Sequence, residues 1–235
     1  MSHSDGNAPT PARSVSEALE SRLSVRAFTD EPVDPNLIRN IVERAARAPS
    51  GGNLQPWHIY VVGGDELDRL REIAAGRVAE APRGEPTDYD IYPKELSDPY
   101  KARRFQVGED MYSRLGIPRD DKAARMKWFA NNFRFFGAPV ALFCYVHRNM
   151  GPPQWSDLGM YLQSLMLLLR EAGLDSCPQE CWAIYPETIS KFLGTPEELM
   201  LFTGMAIGHR DADAPVNQLK AARAPLTEFA DFRGI

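Results

Sequence analysis

The sequence predicts an α+β fold, because apolar strand-like runs are interspersed with segments of helical periodicity. Three runs predict strands: WHIYVV at 57–62, PVALFCYV at 139–146 and LMLFTGMAIG at 199–208. Helical spacing of apolar residues occurs at 35–48, 64–79, 101–115, 120–135 and 155–172. No long linker or internal repeat divides residues 14–235, so we expect them to form a single domain.

The first predicted helix lies between two polar clusters. Asp34 is placed as an N-cap, Pro35 occupies the first helical position, and Pro49 is expected to end the helix. The strand at 57–62 follows, and Gly63-Gly64-Asp65 begins the next helix. Residues 82–100 are rich in proline and acidic side chains, which predicts irregular structure. Gly116-Ile117-Pro118 then separates the helical patterns at 101–115 and 120–135.

The segment 155–172 is apolar on most of its faces. Asp157 and Arg170, among other polar residues, interrupt it, so we do not expect it to span a membrane. A helix that is apolar on most sides has to be buried. It is either the centre of a large core or part of a subunit interface, and both interpretations stay open.

Composition excludes several classes of function. Hydrophobic residues make up 43% and charged residues 25%, as in ordinary globular proteins. The net charge of −5 gives no support for nucleic-acid binding. Residues 1–13 are expected to be a disordered polar tail, and without the apolar core of a signal peptide they predict a cytoplasmic protein. Cys177 and Cys181 have no second pair of ligands at zinc-like spacing, so no metal site is expected.

The two polar clusters, RLSVR at 22–26 and PSGGNLQPW at 49–57, are candidates for ligand binding. Arg22 and Arg26 carry planar groups that can hold a phosphate or a carbonyl bidentately. Ser24, Ser50 and Asn53 add neutral hydrogen-bonding groups, and a flat ligand could approach the backbone at the glycines. A large anionic heterocycle would use all of these. The simpler alternative is a capped helix flanked by solvated arginines and a glycine turn.

The order of the motifs resembles that of the FMN-dependent nitroreductases. The matching motifs are R-x-S-V-R-x-F, A-x-x-A-P-S-x-x-N-x-Q-P-W, Phe136-Gly137-Ala138-Pro139-Val140, Asp157-Leu158-Gly159, Pro178-Gln179-Glu180, Gly204-Met205-Ala206-Ile207-Gly208, Pro215-Val216-Asn217 and Arg223-Ala224-Pro225-Leu226. The resemblance implies a three-layer α/β/α sandwich with a mostly antiparallel sheet. It also implies a homodimer with FMN at the subunit interface, in which a C-terminal arm, residues 211–235, is exchanged between subunits.

The resemblance also assigns cofactor-binding residues position by position. Arg22, Ser24 and Arg26 correspond to the first FMN-binding cluster, whereas Pro49, Ser50, Gly51 and Asn53 correspond to a loop that reaches the partner's flavin. The remaining assignments are Asn132, Pro178, Gln179, Glu180, Lys220 and Arg223. Among these, Pro178–Glu180 corresponds to the segment near flavin N5, and Lys220 and Arg223 correspond to phosphate-binding positions. No catalytic acid or base is implied, because the flavin performs the chemistry.

The implied activity is ping-pong transfer of hydride from NADPH or NADH, through flavin N5, to a small nitroaromatic or quinone-like acceptor. A separate dinucleotide-binding motif, G-x-G-x-x-G, is absent, which fits a nicotinamide that visits the flavin only briefly. Residues 82–135 are expected to form a helical excursion that either packs its aromatic residues internally or covers the flavin as a lid. Two alternatives stay open: other reductive chemistry on the same fold (dehalogenation, enone reduction or flavin fragmentation), or a non-catalytic flavin-binding protein.

Overall fold

The computed structural model describes residues 10–235, which contain seven α-helices and four β-strands. The helices are α1 (Val15–Ser21), α2 (Pro35–Ala45), α3 (Gly64–Glu80), α4 (Tyr100–Arg114), α5 (Lys122–Phe129), α6 (Pro152–Glu171) and α7 (Pro186–Leu193). The strands are β1 (His58–Gly63), β2 (Val140–His147), β3 (Asp175–Gln179) and β4 (Leu199–Gly208).

The four strands form one antiparallel sheet in the order β1-β2-β4-β3. The expected α+β class and antiparallel sheet are confirmed. β2 is buried along nearly its whole length, as its uninterrupted apolar run predicts for a strand covered on both faces. The three strands predicted from sequence are all present within one residue of their predicted bounds. The exchange of the C-terminal arm stays a prediction.

Helices cover both faces of the sheet and so produce the expected layers. On one face α3 and α7 enclose an aromatic core that includes Phe135, Phe143 and Trp182. On the other face α2 and α6 pack together against β2 and β4. Leu158, Leu165 and several neighbours on α6 are fully or almost fully buried, which confirms the core interpretation of this helix. Its role in a subunit interface stays a prediction.

Two helix ends differ from the sequence prediction. The helix predicted at 120–135 ends at Phe129, and a 3₁₀ segment, Ala130–Gly137, follows it. Phe135 and Phe136 have φ angles of 54° and 52° there, a left-handed conformation that helical periodicity cannot reveal. The helix predicted after Asp34 is α2. It begins as predicted, since the Asp34 side chain accepts a hydrogen bond from Asn36 N, but it ends at Ala45. A turn already closes before Pro49, because Ala48 N donates to Ala45 O.

Three elements were not predicted from the sequence: α1, β3 and α7. β3 has the sequence DSCPQ, which is too polar to be recognised as a strand although four of its five residues are buried. Of the predicted tail, residues 1–9 lie outside the described range. Ala12 is buried, and its N–H donates to the carbonyl oxygen of Arg170 at 2.9 Å, so the end of the tail packs against α6.

None of the helices in the described part of the chain combines the length and hydrophobicity that a bilayer crossing requires.

Candidate functional site

The segment Arg22–Arg26 runs along the outer edge of β3. Ser24 forms a parallel bridge with Ser176, and Val25 N donates to Ser176 O at 3.1 Å. This placement brings the positive charges of Arg22 and Arg26 close to Cys177. Burial raises the pKa of Cys177 to about 11, although both arginines oppose that shift, so the thiol stays protonated at neutral pH.

Arg22, Arg26 and Arg223 form a cluster of cations, and in residues 10–235 this cluster has no carboxylate partner. Burial lowers the pKa of Arg22, and the positive charge of Arg223 lowers it further. Arg26 donates to Ser24 O at 3.1 Å, and Arg223 donates to Ala221 O at 2.9 Å. Within residues 10–235, no ion pair to a carboxylate is formed by Arg22, Arg26, Lys220 or Arg223. Like charges held together without a counter-charge favour the binding of an anion.

Lys220 lies near this cluster but faces a more open region. It lines a cavity of about 480 Å³, and the wall of that cavity also includes Ser21, the residue before Arg22. The structure therefore brings predicted cofactor-binding cations from opposite ends of the chain into one region.

The end of β3 is held by side-chain hydrogen bonds within the chain. Gln179 is buried, and its amide donates to the backbone oxygen of Asn132 at 2.7 Å and to that residue's Oδ1 at 3.3 Å. The indole of Trp182 donates to Gln179 Oε1 at 3.4 Å, while Asn132 Nδ2 donates to Phe129 O at 2.9 Å. The structure therefore brings Asn132 and Gln179 together, with both side chains bonded internally.

Glu180 follows Gln179 and lies against the segment predicted as a lid. Desolvation raises the pKa of Glu180, and the nearby hydroxyl of Tyr92 partly offsets this shift. The Arg104 guanidinium of α4 lies 4.1 Å from the centre of the Tyr92 ring. Tyr92 and Arg104 thus connect the excursion to the predicted flavin-edge residues, while Pro178 pairs with Met205 inside the sheet.

The loop at 49–57 lies elsewhere in the same chain. Ser50 Oγ accepts from Gln55 N at 3.0 Å, and Gly51 N donates to both carboxylate oxygens of Asp157, each at 3.3 Å. Asn53 and Gln55 have φ angles of 57° and 50°, and Pro49 is exposed. Strained non-glycine residues of this kind cluster at functional sites, which is consistent with a binding role for the loop.

The loop and the cation cluster are attached to opposite ends of α6. Asp157 holds the loop, whereas Arg170 donates to Ser21 Oγ at 3.3 Å, next to Arg22. Asp157 and Arg170 are separated by about 20 Å, given the helical rise of 1.5 Å per residue. No hydrogen bond between Pro49–Asn53 and Arg22–Arg26 is found in the described residues. One chain does not bring the two predicted groups together.

Several residues that organise this region were not identified as site residues from the sequence. Asn217 belongs to the matching motif Pro215-Val216-Asn217 but was assigned no role, and Arg210 is a polar residue just after a predicted strand. No local pattern indicates the long-range hydrogen bonds of either residue. Asp175 is fully buried and pairs with both Arg170 and Arg210. In residues 10–235, no group of three or more His, Cys, Asp or Glu side chains could hold a metal ion.

Comparison with known proteins matches this arrangement to one family. Residues 19–209 match the model of the Nitroreductase family. The chain is 54% identical to the FMN and NADPH-dependent nitroreductase NfnB from Sphigopyxis sp. strain HMH, covering 94% of this chain and 100% of that one with a TM-score of 0.92. It is 33% identical to FMN-dependent NfnB from Mycobacterium smegmatis, solved with NADPH, covering 93% and 97% of the chains with a TM-score of 0.88.

A curated relative agrees with these structural matches. The nitrobenzene nitroreductase of Ectopseudomonas oleovorans is 33% identical over 93% of this chain and 96% of its own length. The family match covers most of the sequence, and the matched fold is the antiparallel sheet with helices on both faces described above. The chain belongs to the nitroreductase family.

Proposed function

We propose that this protein is an FMN-dependent NAD(P)H oxidoreductase that reduces nitroaromatic compounds by a ping-pong cycle. The observation that carries the proposal is the cluster of Arg22, Arg26 and Arg223, which has no carboxylate partner in residues 10–235. One relative is named as a nitrobenzene nitroreductase, and similar structures are described as FMN- and NADPH-dependent.

The residues present fit FMN because they match its charge and its polarity. The half-buried guanidinium of Arg22 and the exposed guanidinium of Arg223 would hold the phosphate, and Lys220 would add a third positive charge. Ser24 and Arg26 lie along the edge of β3, where they would bind the polar atoms of the ring system. Without an anion the cations repel each other, so binding an anion relieves an existing strain.

When bound, FMN would supply the hydride exchange between the nicotinamide and the nitro compound. The chain's own residues position and shield the reactants. The bond from Gln179 to Asn132 fixes the end of β3, so the backbone of Gln179 and Glu180 presents a rigid edge. Tyr92 and Glu180 would form part of the wall that excludes water and contacts an aromatic acceptor.

The proposal includes a homodimer with shared sites. Since Pro49, Ser50, Gly51 and Asn53 are anchored about 20 Å along α6 from Arg170, we propose that they contribute to the flavin site of the partner subunit. The C-terminal arm, residues 211–235, exposes Leu226, Phe229 and Phe232, which a partner subunit would bury. We further propose that residues 14–235 act as one cytoplasmic domain, in which residues 82–135 cover the flavin.

The first test is spectroscopic. The purified protein, incubated with FMN and freed of unbound cofactor, should retain flavin absorbance. NADPH or NADH should bleach it, and nitrobenzene or 4-nitrobenzoate should restore it with turnover. Retaining no flavin would overturn the proposal. Bleaching without acceptor reduction would leave a flavoprotein of different chemistry, and bound flavin that neither nicotinamide reduces would favour a non-catalytic role.

A matched pair of variants tests the assignment of the cations. Arg22→Gln and Arg223→Gln should each raise the dissociation constant of FMN by about tenfold, the cost of roughly 1.4 kcal/mol of binding energy. Arg69→Gln serves as the control, because Arg69 is exposed on α3 and pairs with Glu66 one turn away. Equal FMN affinity in all three variants would contradict the assignment.

A further inference from the structure

Asn217 joins two distant segments through three short hydrogen bonds. Its Oδ1 accepts from the backbone N–H of Arg26 at 2.8 Å, and its Nδ2 donates to the carbonyl oxygens of Ala27 and Asp211, each at 2.8 Å. The residue is only 4% exposed. Every bond involves backbone of another segment or of the preceding turn, so the side chain acts as a connector between main chains.

The two connected segments carry the two halves of the cation cluster. One contains Arg22, Ser24 and Arg26, and the other continues from Asn217 through Lys220 to Arg223. Asp211 N also donates to Ala27 O at 3.0 Å, so this carbonyl oxygen receives a backbone and a side-chain hydrogen bond. Asn217 therefore lies where the N-terminal and C-terminal parts of the cluster meet.

The other anchors of the N-terminal segment bind it to α6, β3 and the end of β4. Ser21 receives hydrogen bonds from Arg170 and Arg210, both of which pair with the buried carboxylate of Asp175. Val25 N is bonded to Ser176 O. None of these bonds involves residues 215–223. Among the residues that the structure describes, it is the side chain of Asn217 that connects Arg26 directly to the segment leading to Lys220 and Arg223.

The chemistry of the site requires an amide side chain. The group must accept from one N–H and donate to two carbonyl oxygens, which an amide can do and a carboxylate cannot. The carboxylate introduced by Asn217→Asp would retain the bond from Arg26 N but would face the oxygens of Ala27 and Asp211 without protons to donate. Alanine would leave all three half-buried backbone groups without this partner.

We propose that Asn217 is a positioning residue that sets the spacing between Arg26 and the phosphate-binding residues Lys220 and Arg223. This inference rests on the proposed function, because it assigns the cluster to the phosphate of FMN. Loss of the connector lets the 218–223 segment move relative to the β3 edge. The two halves of the cluster then no longer match the distance between the phosphate and the ring of one FMN molecule.

The test compares FMN with riboflavin, which has the same ring but no phosphate. The dissociation constants of both are measured by flavin fluorescence for the wild-type protein and for two variants that add no charge, Asn217→Ser and Asn217→Ala. We expect the preference for FMN over riboflavin to fall about tenfold in both variants. A merely structural role would weaken both ligands alike and leave the ratio unchanged, which would overturn the inference.

A control and a double variant make the result specific. Glu85→Gln removes a buried carboxylate from the hydrogen bonds that join α3 to α7, so it should lower stability and leave the FMN-to-riboflavin ratio unchanged. If Asn217 acts through Arg223, adding Asn217→Ser to Arg223→Gln should cause less than a twofold further change in the ratio, because coupled sites are not additive. A full additional tenfold loss would contradict the proposed coupling.

Failure of the proposed function is distinguishable from failure of the inference. A wild-type protein that binds neither flavin would overturn the proposed function. A wild-type protein that prefers FMN, together with Asn217 variants that keep this preference, would overturn only the role of Asn217. Should Asn217→Ala fail to fold, Asn217→Ser keeps a hydroxyl that can bond one of the three backbone groups, and it carries the test.

Discussion

Gly51 donates its backbone N–H to both carboxylate oxygens of Asp157, at 3.3 Å each, and so attaches the loop after α2 to the first half of α6. Asp157 is only 3% exposed, so its charge is shielded from water. The same loop contains two non-glycine residues with positive φ, Asn53 and Gln55. A buried, charge-assisted bond at one end helps to hold a loop that costs conformational energy at the other.

We therefore expect Asp157→Ala to loosen this loop more than it destabilises the core. The lost bond to a charged acceptor should lower the free energy of unfolding by about 1.5–3 kcal/mol, and amide hydrogen exchange should rise selectively at residues 51–55. Asp68→Asn is a suitable control, because Asp68 is exposed and pairs only with Arg71 across one turn of α3. If Asp157→Ala instead raised amide exchange to the same extent throughout the protein, that result would contradict a local role for Asp157.

The repulsion between Arg22 and Arg223 predicts a response to simple anions. Burial and the charge of Arg223 both lower the pKa of Arg22, which means that the charged form of Arg22 is disfavoured in the folded protein. Inorganic phosphate should therefore raise the melting temperature of the flavin-free protein, and Arg22→Gln should abolish most of that increase. The comparison uses chloride at matched ionic strength. An equal phosphate effect in Arg22→Gln and wild type would contradict an anion site at these residues.

The buried carboxylate of Glu85 should make the stability of the folded protein depend on pH. Desolvation raises its pKa, but hydrogen bonds from Thr188 and Arg77 outweigh that effect, and the net pKa lies below the ordinary value of 4.5. Because the folded pKa is the lower one, the carboxylate stabilises the fold above about pH 4.5. That contribution is lost as the pH falls through the folded pKa.

Urea denaturation of wild type and Glu85→Gln checks this expectation. At pH 7 the variant should be less stable by about 2 kcal/mol, since the backbone N–H groups of Glu187 and Thr188 at the start of α7 lose a charged acceptor. The difference in the free energy of unfolding between the two proteins should narrow as the pH is lowered below 4.5. A gap that stays constant or widens with acid would show that the carboxylate charge is not the source of the stability.

The position of Gly204 beneath the aromatic core leaves no room for a side chain. A Cβ atom at this position would overlap Trp182 Cδ1 and lie 3.0 Å from Trp182 Cγ. Gly204→Ala should therefore destabilise the protein by about 1–3 kcal/mol through overpacking. Gly76→Ala in α3 is the matched control, because an added Cβ meets no atom within 4 Å and should be neutral or stabilising by up to about 1 kcal/mol. Thermal melts of both variants distinguish the two cases.

The strongly patterned parts of the fold could be predicted from the sequence, and the remainder depends on tertiary contacts. The apolar runs of β2 and β4 and the cap at Asp34 are local signals, and each predicted its element correctly. β3 carries no such signal, because its polar residues are buried only through pairing with β4 and through the ion pairs of Asp175. The left-handed Phe135 and Phe136 also have no local sequence signature.

The candidate site shows the same division. The resemblance names Arg22 and Arg223 among the cofactor-binding cations, which stays a prediction, and the structure places them close enough for one to shift the pKa of the other. The resemblance included Asn217 in a matching motif but predicted no role for it, because its partners at Arg26 and Ala27 are far away in the chain. Nor did it reveal that Asn132 and Gln179 bind each other. Long-range hydrogen bonds between irregular segments leave no periodic pattern.

The attachment of the two proposed binding segments to one continuous helix limits how this protein can diversify. Inserting a single residue into α6 between Asp157 and Arg170 would advance one end by about 1.5 Å and rotate it by about 100° relative to the other. The loop at Gly51 and the segment at Ser21 would then face different directions. Substitutions on the exposed side of α6 leave this geometry intact, whereas a change in helix length does not. We therefore expect sequence variation to enter through the segment at 82–135, and the length of α6 to stay fixed.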